Sequence, residues 1–371
     1  MRKWLVLPVV AALLTGLALP AAAGSAVQRG VDRIVAGGLP GVLTAVSAGD
    51  RDRLYRGGVG DRRSGAPVPW PGELRSGSIG KSFVALTVLR LVAAGRIGLD
   101  ERVEHYLPGV LRGDDGGGRR DIRIRQLLQH TSGLPDYGPA LPSGADFVAR
   151  RFHRHDPRVL VGHALDRPQL FRPGAGWAYV NTGYLLLGQV IERVTGQPWA
   201  EVTAEQVIRP LGLRRTYFPR PHEVVLRGPH PRGYLAVEEK LVDVTELDSS
   251  YMGASGSVVS TPAELNRFFR AVLGGELLPP AVQAELTRMV PGGPTAPEYG
   301  LGLERFPLSC GHYLGHGGEM HGFSGLSGVL VRPDGGLGGA VTTLATGRPA
   351  GMADFARVLA VAETALCGPV S

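Results

Sequence analysis

The apolar run from Ile79 to Ala94 carries Phe83, Val84, Leu86, Val88, Leu89, Leu91 and Val92, and only Thr87 and Arg90 mark a polar side. A helix with so little polar surface is buried on most sides, and Gly95 ends it. Ahead of it, 41–46 and 53–59 read as two strands about a turn at Gly49-Asp50. From about 100 to 250 the pattern is one of short helices joined by loops, with a glycine- and charge-rich surface excursion at 113–121. Within it, 181–195 has a strongly apolar helical face (Tyr184 to Leu187, Val190, Ile191, Val194) and stops at Gly196. Thr261-Pro262-Ala263-Glu264 has the form of a helix start, after which strands return. Residues 323–331 and 337–343 make a hairpin over Pro333-Asp334-Gly335-Gly336, and 351–366 is a last amphipathic helix with Phe355, Leu359, Ala362 and Leu366 inward. Strands at both ends and helices between them predict an α+β protein. Its sheet-containing domain is assembled from 24–77 and 255–371, and a mainly helical domain, 78–254, is inserted in the middle.

The first residues change where this chain is expected to work. Arg2 and Lys3, an apolar stretch from Trp4 to Leu19, and Ala21-Ala22-Ala23 have the order of a secretory signal peptide cleaved after Ala23. No later segment has the length and polarity of a membrane span, so a secreted protein on the cell-envelope side is expected. In that setting the two cysteines, Cys310 and Cys367, are expected to form a disulfide that staples the C-terminal helix to the strand region before His316. The formal net charge of +7 includes Arg2 and Lys3 and is otherwise carried by scattered arginines. No basic run with interleaved aromatics points to nucleic acid.

Only Lys3, Lys81 and Lys240 are lysines in a chain that uses arginine for nearly all its positive charge. An ammonium can lose its proton when desolvated and a guanidinium effectively cannot, so Lys81, at the head of the buried helix, is a candidate proton carrier. Ser78 lies three residues earlier, on the same helical face, at the spacing of a nucleophile and its base. Two further clusters fit. In Tyr179-Val180-Asn181 a strand-like alternation sends both outer side chains to one side. There a phenol whose pKa is depressed by nearby cations could relay a proton to the leaving group, and an amide could orient a substrate carbonyl. Gly315-His316-Gly317-Gly318 combines a donor or cationic side chain, suited to holding Tyr179 deprotonated, with small residues that let a substrate lie against a strand edge. His312, His316 and His321 crowd together without a metal-binding spacing, and neither metal nor cofactor is expected.

In their order and wide separation, Ser78-x-x-Lys81, Tyr179-x-Asn181 and His316-x-Gly318 resemble the three active-site motifs of serine penicillin-recognising enzymes. The likeness is to the branch of class C β-lactamases, secreted D-alanyl-D-alanine carboxypeptidases and related esterases, and it covers nearly the whole mature chain, including 77–83, 106–109, 124–134 and 179–184. The stretch from Leu308 to Gly368, with its cysteine pair, is most similar to the secreted carboxypeptidases. The resemblance implies an antiparallel sheet flanked by helices, with the site between sheet and helical domain. It also implies a Ser78 acyl-enzyme, with Lys81 and Tyr179 moving protons and the N–H groups of Ser78 and Glu319 forming an oxyanion hole. Asn181 would hold the acyl side chain, Arg305 would receive the terminal carboxylate, and Tyr251 would either line the cleft or belong to the core. On this reading the protein is a monomeric D-alanyl-D-alanine carboxypeptidase that takes peptidoglycan stem peptides or other small acyl substrates and is acylated by β-lactams. A β-lactamase or small-ester hydrolase, and a noncatalytic binding or sensing domain, are the alternatives. The chain departs from the pattern at Gly317 and Glu319, where such carboxypeptidases usually carry hydroxyl side chains that help bind the substrate carboxylate. Glu319 is then expected to point away or to pair with Arg305.

Overall fold

The computed structural model describes residues 21–49, 51–112, 118–293, 296–347 and 352–368. Most of the expected leader, Asp50 of the first turn and most of the 113–121 excursion lie outside the described residues. In chain order, helix α1 (Ala21–Ala36) leads into strands β1 (Gly41–Ala48), β2 (Arg51–Gly58) and β3 (Leu74–Gly77) and then the buried helix α2 (Gly80–Ala93). Short helices follow: α3 (Val103–Tyr106), α4 (Ile124–Leu128), α5 (Gly144–Arg150), α6 (Pro157–Leu165), α7 (Thr182–Thr195) and α8 (Trp199–Thr203). The return to strands passes through β4 (Tyr234–Val237), β5 (Lys240–Asp243) and β6 (Val258–Ser260), then α9 (Pro262–Leu273) and α10 (Pro280–Leu286). Strands β7 (Glu298–Tyr299), β8 (Glu304–Leu308), β9 (Gly311–Met320), β10 (Phe323–Val331) and β11 (Leu337–Thr346) precede the last helix, α11 (Met352–Cys367).

Seven strands form one antiparallel sheet in the order β2-β1-β11-β10-β9-β8-β7. The N-terminal hairpin is thus laid beside the C-terminal one, with Gly41 opposite both Thr346 and Gly58. Strand β1 is buried along most of its length because both its faces are covered, whereas β2 alternates at the sheet edge. On one face Val27, Val31 and Ile34 of α1 and Val358, Val361 and Ala365 of α11 pack over Val42, Val46, Leu326, Val341 and Ala345. On the other, Leu265, Phe268 and Phe269 of α9 join the sheet to the helical core.

The disulfide Cys310–Cys367 ties the β8–β9 turn to the end of α11 across a separation of 57 residues. A loop of that length contributes about 4 kcal/mol in the chain-entropy model. Among the described residues no helix is long and apolar enough to cross a membrane.

Helix α2 runs through the core, with Phe83 stacked on Phe268 at 3.7 Å between ring centroids. Its hydroxyls are satisfied internally, Ser82 Oγ donating to the Gly302 carbonyl (2.7 Å) and Thr87 Oγ1 to the Phe83 carbonyl (2.9 Å). This rigid, dry helix places Lys81.

Candidate active site

Ser78 sits on the sharp turn from β3 into α2. Gly77 adopts φ +54° there, and a Cβ on it would stand 2.6 Å from the backbone N and O of Glu319. A Cβ at Gly318 would stand 2.0 Å from the Ser76 carbonyl oxygen. Only glycines at both positions let the β9 edge approach the turn this closely. That approach places Glu319 beside Ser78, as an oxyanion hole built from their two N–H groups requires.

Lys81 has no solvent exposure. Its Nζ lies 2.9 Å from Ser78 Oγ, 2.7 Å from Asn181 Oδ1 and 2.7 Å from the Ser255 carbonyl. Three acceptors match the three protons of an ammonium. Asn181 Oδ1 and the carbonyl can only accept, so a neutral Lys81 keeps its two N–H bonds for them and turns its lone pair toward the Ser78 hydroxyl. Burial pushes the lysine down to about 7, while Asp136 and Glu304 pull it back upward. The Tyr179 ring centroid is 4.8 Å from the same nitrogen.

Asn181 is held from behind by Asp136, which accepts its backbone N–H (3.0 Å) and its side-chain Nδ2–H (3.2 Å). That clamp dictates which end of the amide faces Lys81. The expected strand through 179–181 is absent: Asn181 has helical dihedrals and caps α7, so it meets Lys81 by opening a helix rather than by strand alternation. His130 anchors this loop from beneath, buried, with its carbonyl accepting Ala178 N–H (3.0 Å) and Nδ1 accepting Val180 N–H (3.3 Å).

The structure corrects four sequence expectations. Tyr179 was expected to be held as a phenolate, yet burial and then Glu304 raise it well above the usual phenol range, only partly offset by its hydrogen bond with Ser78. Its hydroxyl therefore stays protonated at neutral pH. His316 was expected as a cation or a donor that holds Tyr179 deprotonated. It is 1% exposed, and burial lowers its pKa, so the imidazole is neutral. Its Nδ1 lies 2.5 Å from the Gly317 carbonyl, which can only accept, so Nδ1 carries the proton and Nε2 accepts from the Tyr299 hydroxyl at 2.8 Å. Arg305 was expected to receive a carboxylate. It sits opposite Leu314 on β9, turned toward α10, and binds Glu298 instead. Glu319 was expected to point away or to pair with Arg305; it lines the cleft and is exposed, and Arg305 lies away from it beside α10. Tyr251 is core: it is 3% exposed, its hydroxyl is 2.9 Å from His321 Nδ1, and its carbonyl accepts from Tyr137.

A cleft of about 790 Å³ opens over Ser78 and Tyr179. Gly317, Gly318, Glu319 and Glu304 line its near end, and Phe306, Phe355, Val358 and Leu359 make a far apolar wall against α11. Three functional positions escaped the sequence reading. Asp136 sits in a loop and Ser255 at the end of a 3₁₀ turn, each with partners distant in the chain, and Glu304 is hidden by the register of a five-residue strand. Among the described residues no group of histidine, cysteine, aspartate or glutamate could hold a metal ion.

Comparison with known proteins places this arrangement. A family model described as Beta-lactamase matches residues 25–363. The chain is 31% identical over 244 residues to penicillin-binding protein 4 of Amycolatopsis lactamdurans, covering 65% of this chain and 61% of that protein. It is 38% identical over 184 residues to the esterase EstB of Burkholderia gladioli, covering 47% and 46%. The chain thus spans less than two thirds of either curated relative. Among solved structures, a D-stereospecific amidohydrolase from Streptomyces sp. superposes with a TM-score of 0.83 at 36% identity, covering 93% of this chain and 99% of that one. A D-amino acid amidase from Ochrobactrum anthropi SV3, complexed with L-phenylalanine amide, gives 0.79 at 25% identity with the same coverage.

Proposed function

The chain belongs to the β-lactamase family, as a serine hydrolase of the penicillin-recognising superfamily, and from that premise we propose that it is an amidohydrolase acting on short amides and peptides of D-amino acids through a Ser78 acyl-enzyme. The observation that carries the reading is the buried Lys81 amine, 2.9 Å from Ser78 Oγ and held near neutrality, at the base of a substrate-sized cleft. Ser78 stands at the proposed seam between the sheet part (24–77, 255–371) and the helical part (78–254). The disulfide fits an export-side location.

In the proposed cycle, Ser78 Oγ attacks the amide carbonyl and its proton passes to neutral Lys81. The oxyanion is received by the N–H groups of Ser78 and Glu319. When the C–N bond breaks, the leaving nitrogen takes the Tyr179 hydroxyl proton, which the Lys81 ammonium replaces. Water then resolves the ester by the reverse transfers. Tyr179 is protonated before the reaction, as a donor to the leaving group must be.

The narrower expectation, a D-alanyl-D-alanine carboxypeptidase, keeps this acylation chemistry but loses its expected carboxylate receptor, since Arg305 is committed to Glu298. The likeness to the Streptomyces and Ochrobactrum structures favours amides. Release of ammonia from D-amino acid amides, with an acyl adduct seen by intact mass and both lost in Ser78→Ala, is the expected result. Turnover of D-alanyl-D-alanine with D-amino acid amides untouched would replace this reading with the carboxypeptidase. Rapid consumption of benzylpenicillin alone would replace it with a β-lactamase.

A further inference from the structure

We propose that Glu304 selects the charge of the leaving group, admitting neutral or ammonium-bearing leaving amines and turning away those that carry a free carboxylate. This rests on the amidohydrolase reading above and specifies its substrate class. Glu304 lies on β8 opposite Gly315, on the sheet face that looks toward α11. Its side chain is 13% exposed, and it lines the same cleft as Ser78 and Tyr179. Its Oε2 accepts the Gly317 N–H at 2.6 Å, and a Cβ added at Gly317 would stand 3.3 Å from that oxygen. The carboxylate thus lies against the strand where a side chain at 317 would project, and the glycine leaves it room.

The same contacts limit the substrate's length. Pairing of β8 with β9 ends at Glu304 opposite Gly315. Beyond that point Gly317 gives its N–H to Glu304 and its carbonyl to His316 Nδ1. Both backbone groups of Gly317 are therefore taken by this chain's own side chains. The backbone groups of Gly318 then face β10, so the edge left for a substrate strand begins at Glu319, beside Ser78, which suits a short ligand rather than a long peptide.

The leaving nitrogen must face the Tyr179 hydroxyl that protonates it, and Glu304 is close enough to act electrostatically on both Tyr179 and Lys81. Its neighbour His316 lies 3.8 Å away and is neutral, so it does not cancel the charge. A leaving amino acid with a free carboxylate would bring a second anion to this wall. Ammonia, an amino-acid amide or a diamine would not.

The test is a pair matched at the bond between the two residues, D-alanyl-D-alanine amide and D-alanyl-D-alanine, with turnover scored only as D-alanine amide or D-alanine released from that bond. The wild type is expected to show kcat/KM at least about tenfold higher for the capped substrate, a preference that narrows in 0.5 M NaCl. Glu304→Gln keeps an oxygen for the Gly317 N–H and is expected to bring the ratio to within about threefold of unity, mainly by a gain on the free acid. A wild-type ratio near one or reversed, a ratio indifferent to salt, or a ratio unchanged in Glu304→Gln would each overturn the proposal. The wild-type ratio and its salt dependence decide the matter even if the variant does not fold. An acylation burst with p-nitrophenyl acetate separates the two levels: no burst sinks the amidohydrolase reading itself, while a burst without charge preference sinks only the role of Glu304.

Discussion

Arg75 on β3 and Lys81 on α2 flank Ser78, and both are shut away from solvent, with 1% and 0% exposure. The arginine reaches three backbone carbonyls, Nη2 donating to Val224 (2.6 Å) and Leu247 (3.2 Å) and Nε to Thr245 (3.3 Å). Burial lowers its pKa, but a guanidinium effectively never gives up its proton, so the side chain remains charged throughout the working range. The lysine also meets three acceptors, but one of them is the Ser78 hydroxyl and burial brings the amine to about 7. Equal burial thus produces a structural clamp from one side chain and, from the other, an amine that can change charge near neutrality, as the proposed base must. The difference lies in the chemistry of the two head groups and in whether a partner can return a proton.

The comparison breaks most sharply at Lys81. Lys81→Arg keeps the charge and removes the lone pair, and is expected to slow acylation of Ser78 by about 10³ to 10⁴, measured as the rate of adduct formation by intact mass. Retention of even a tenth of the wild-type rate would mean that another group takes the proton. Lowered titration of Lys81 also leaves a mark on stability. Between about pH 7 and the ordinary lysine range the unfolded chain binds the proton that the folded chain has released, so unfolding free energy rises with pH across that window. Lys81→Met should flatten that rise in urea titrations.

Arg75→Met reverses the pattern. Three carbonyls lose their donor, which should cost about 3 kcal/mol or more, read as a lower urea midpoint, while the folded fraction keeps the wild-type pH profile of acylation. A changed profile would place Arg75 in the chemistry after all.

The smallest effect belongs to the residue behind Asn181. Asp136→Asn removes a charge that raises Lys81 and half of the clamp on the Asn181 amide. The rising limb of the acylation profile should move to lower pH, and the rate should fall about tenfold. A merely structural role would lower stability and leave the limb where it was.

These contrasts explain what could be read in advance. The apolar run around Lys81 and its spacing from Ser78 were visible because helical period alone brings them together. The two-ended sheet was visible because strand patterns flank the helical stretch. Arg305 and Glu304 were not distinguishable, since a one-residue shift in a five-residue strand exchanges their faces. Asp136 was invisible because its partner Asn181 lies 45 residues further on. The ionisation of Tyr179 was misread for a related reason: it follows from the burial of the phenol and from the nearby Glu304, neither of which a motif encodes.

If neutral Lys81 is the base for Ser78, the pH dependence of Ser78 acylation by p-nitrophenyl acetate must follow the lysine's titration. The expected profile for the wild type rises through an apparent pKa of about 7 and then levels, with the rise absent in Lys81→Arg. A profile flat from pH 5 to 9, or one that rises only in the ordinary lysine range, would contradict it.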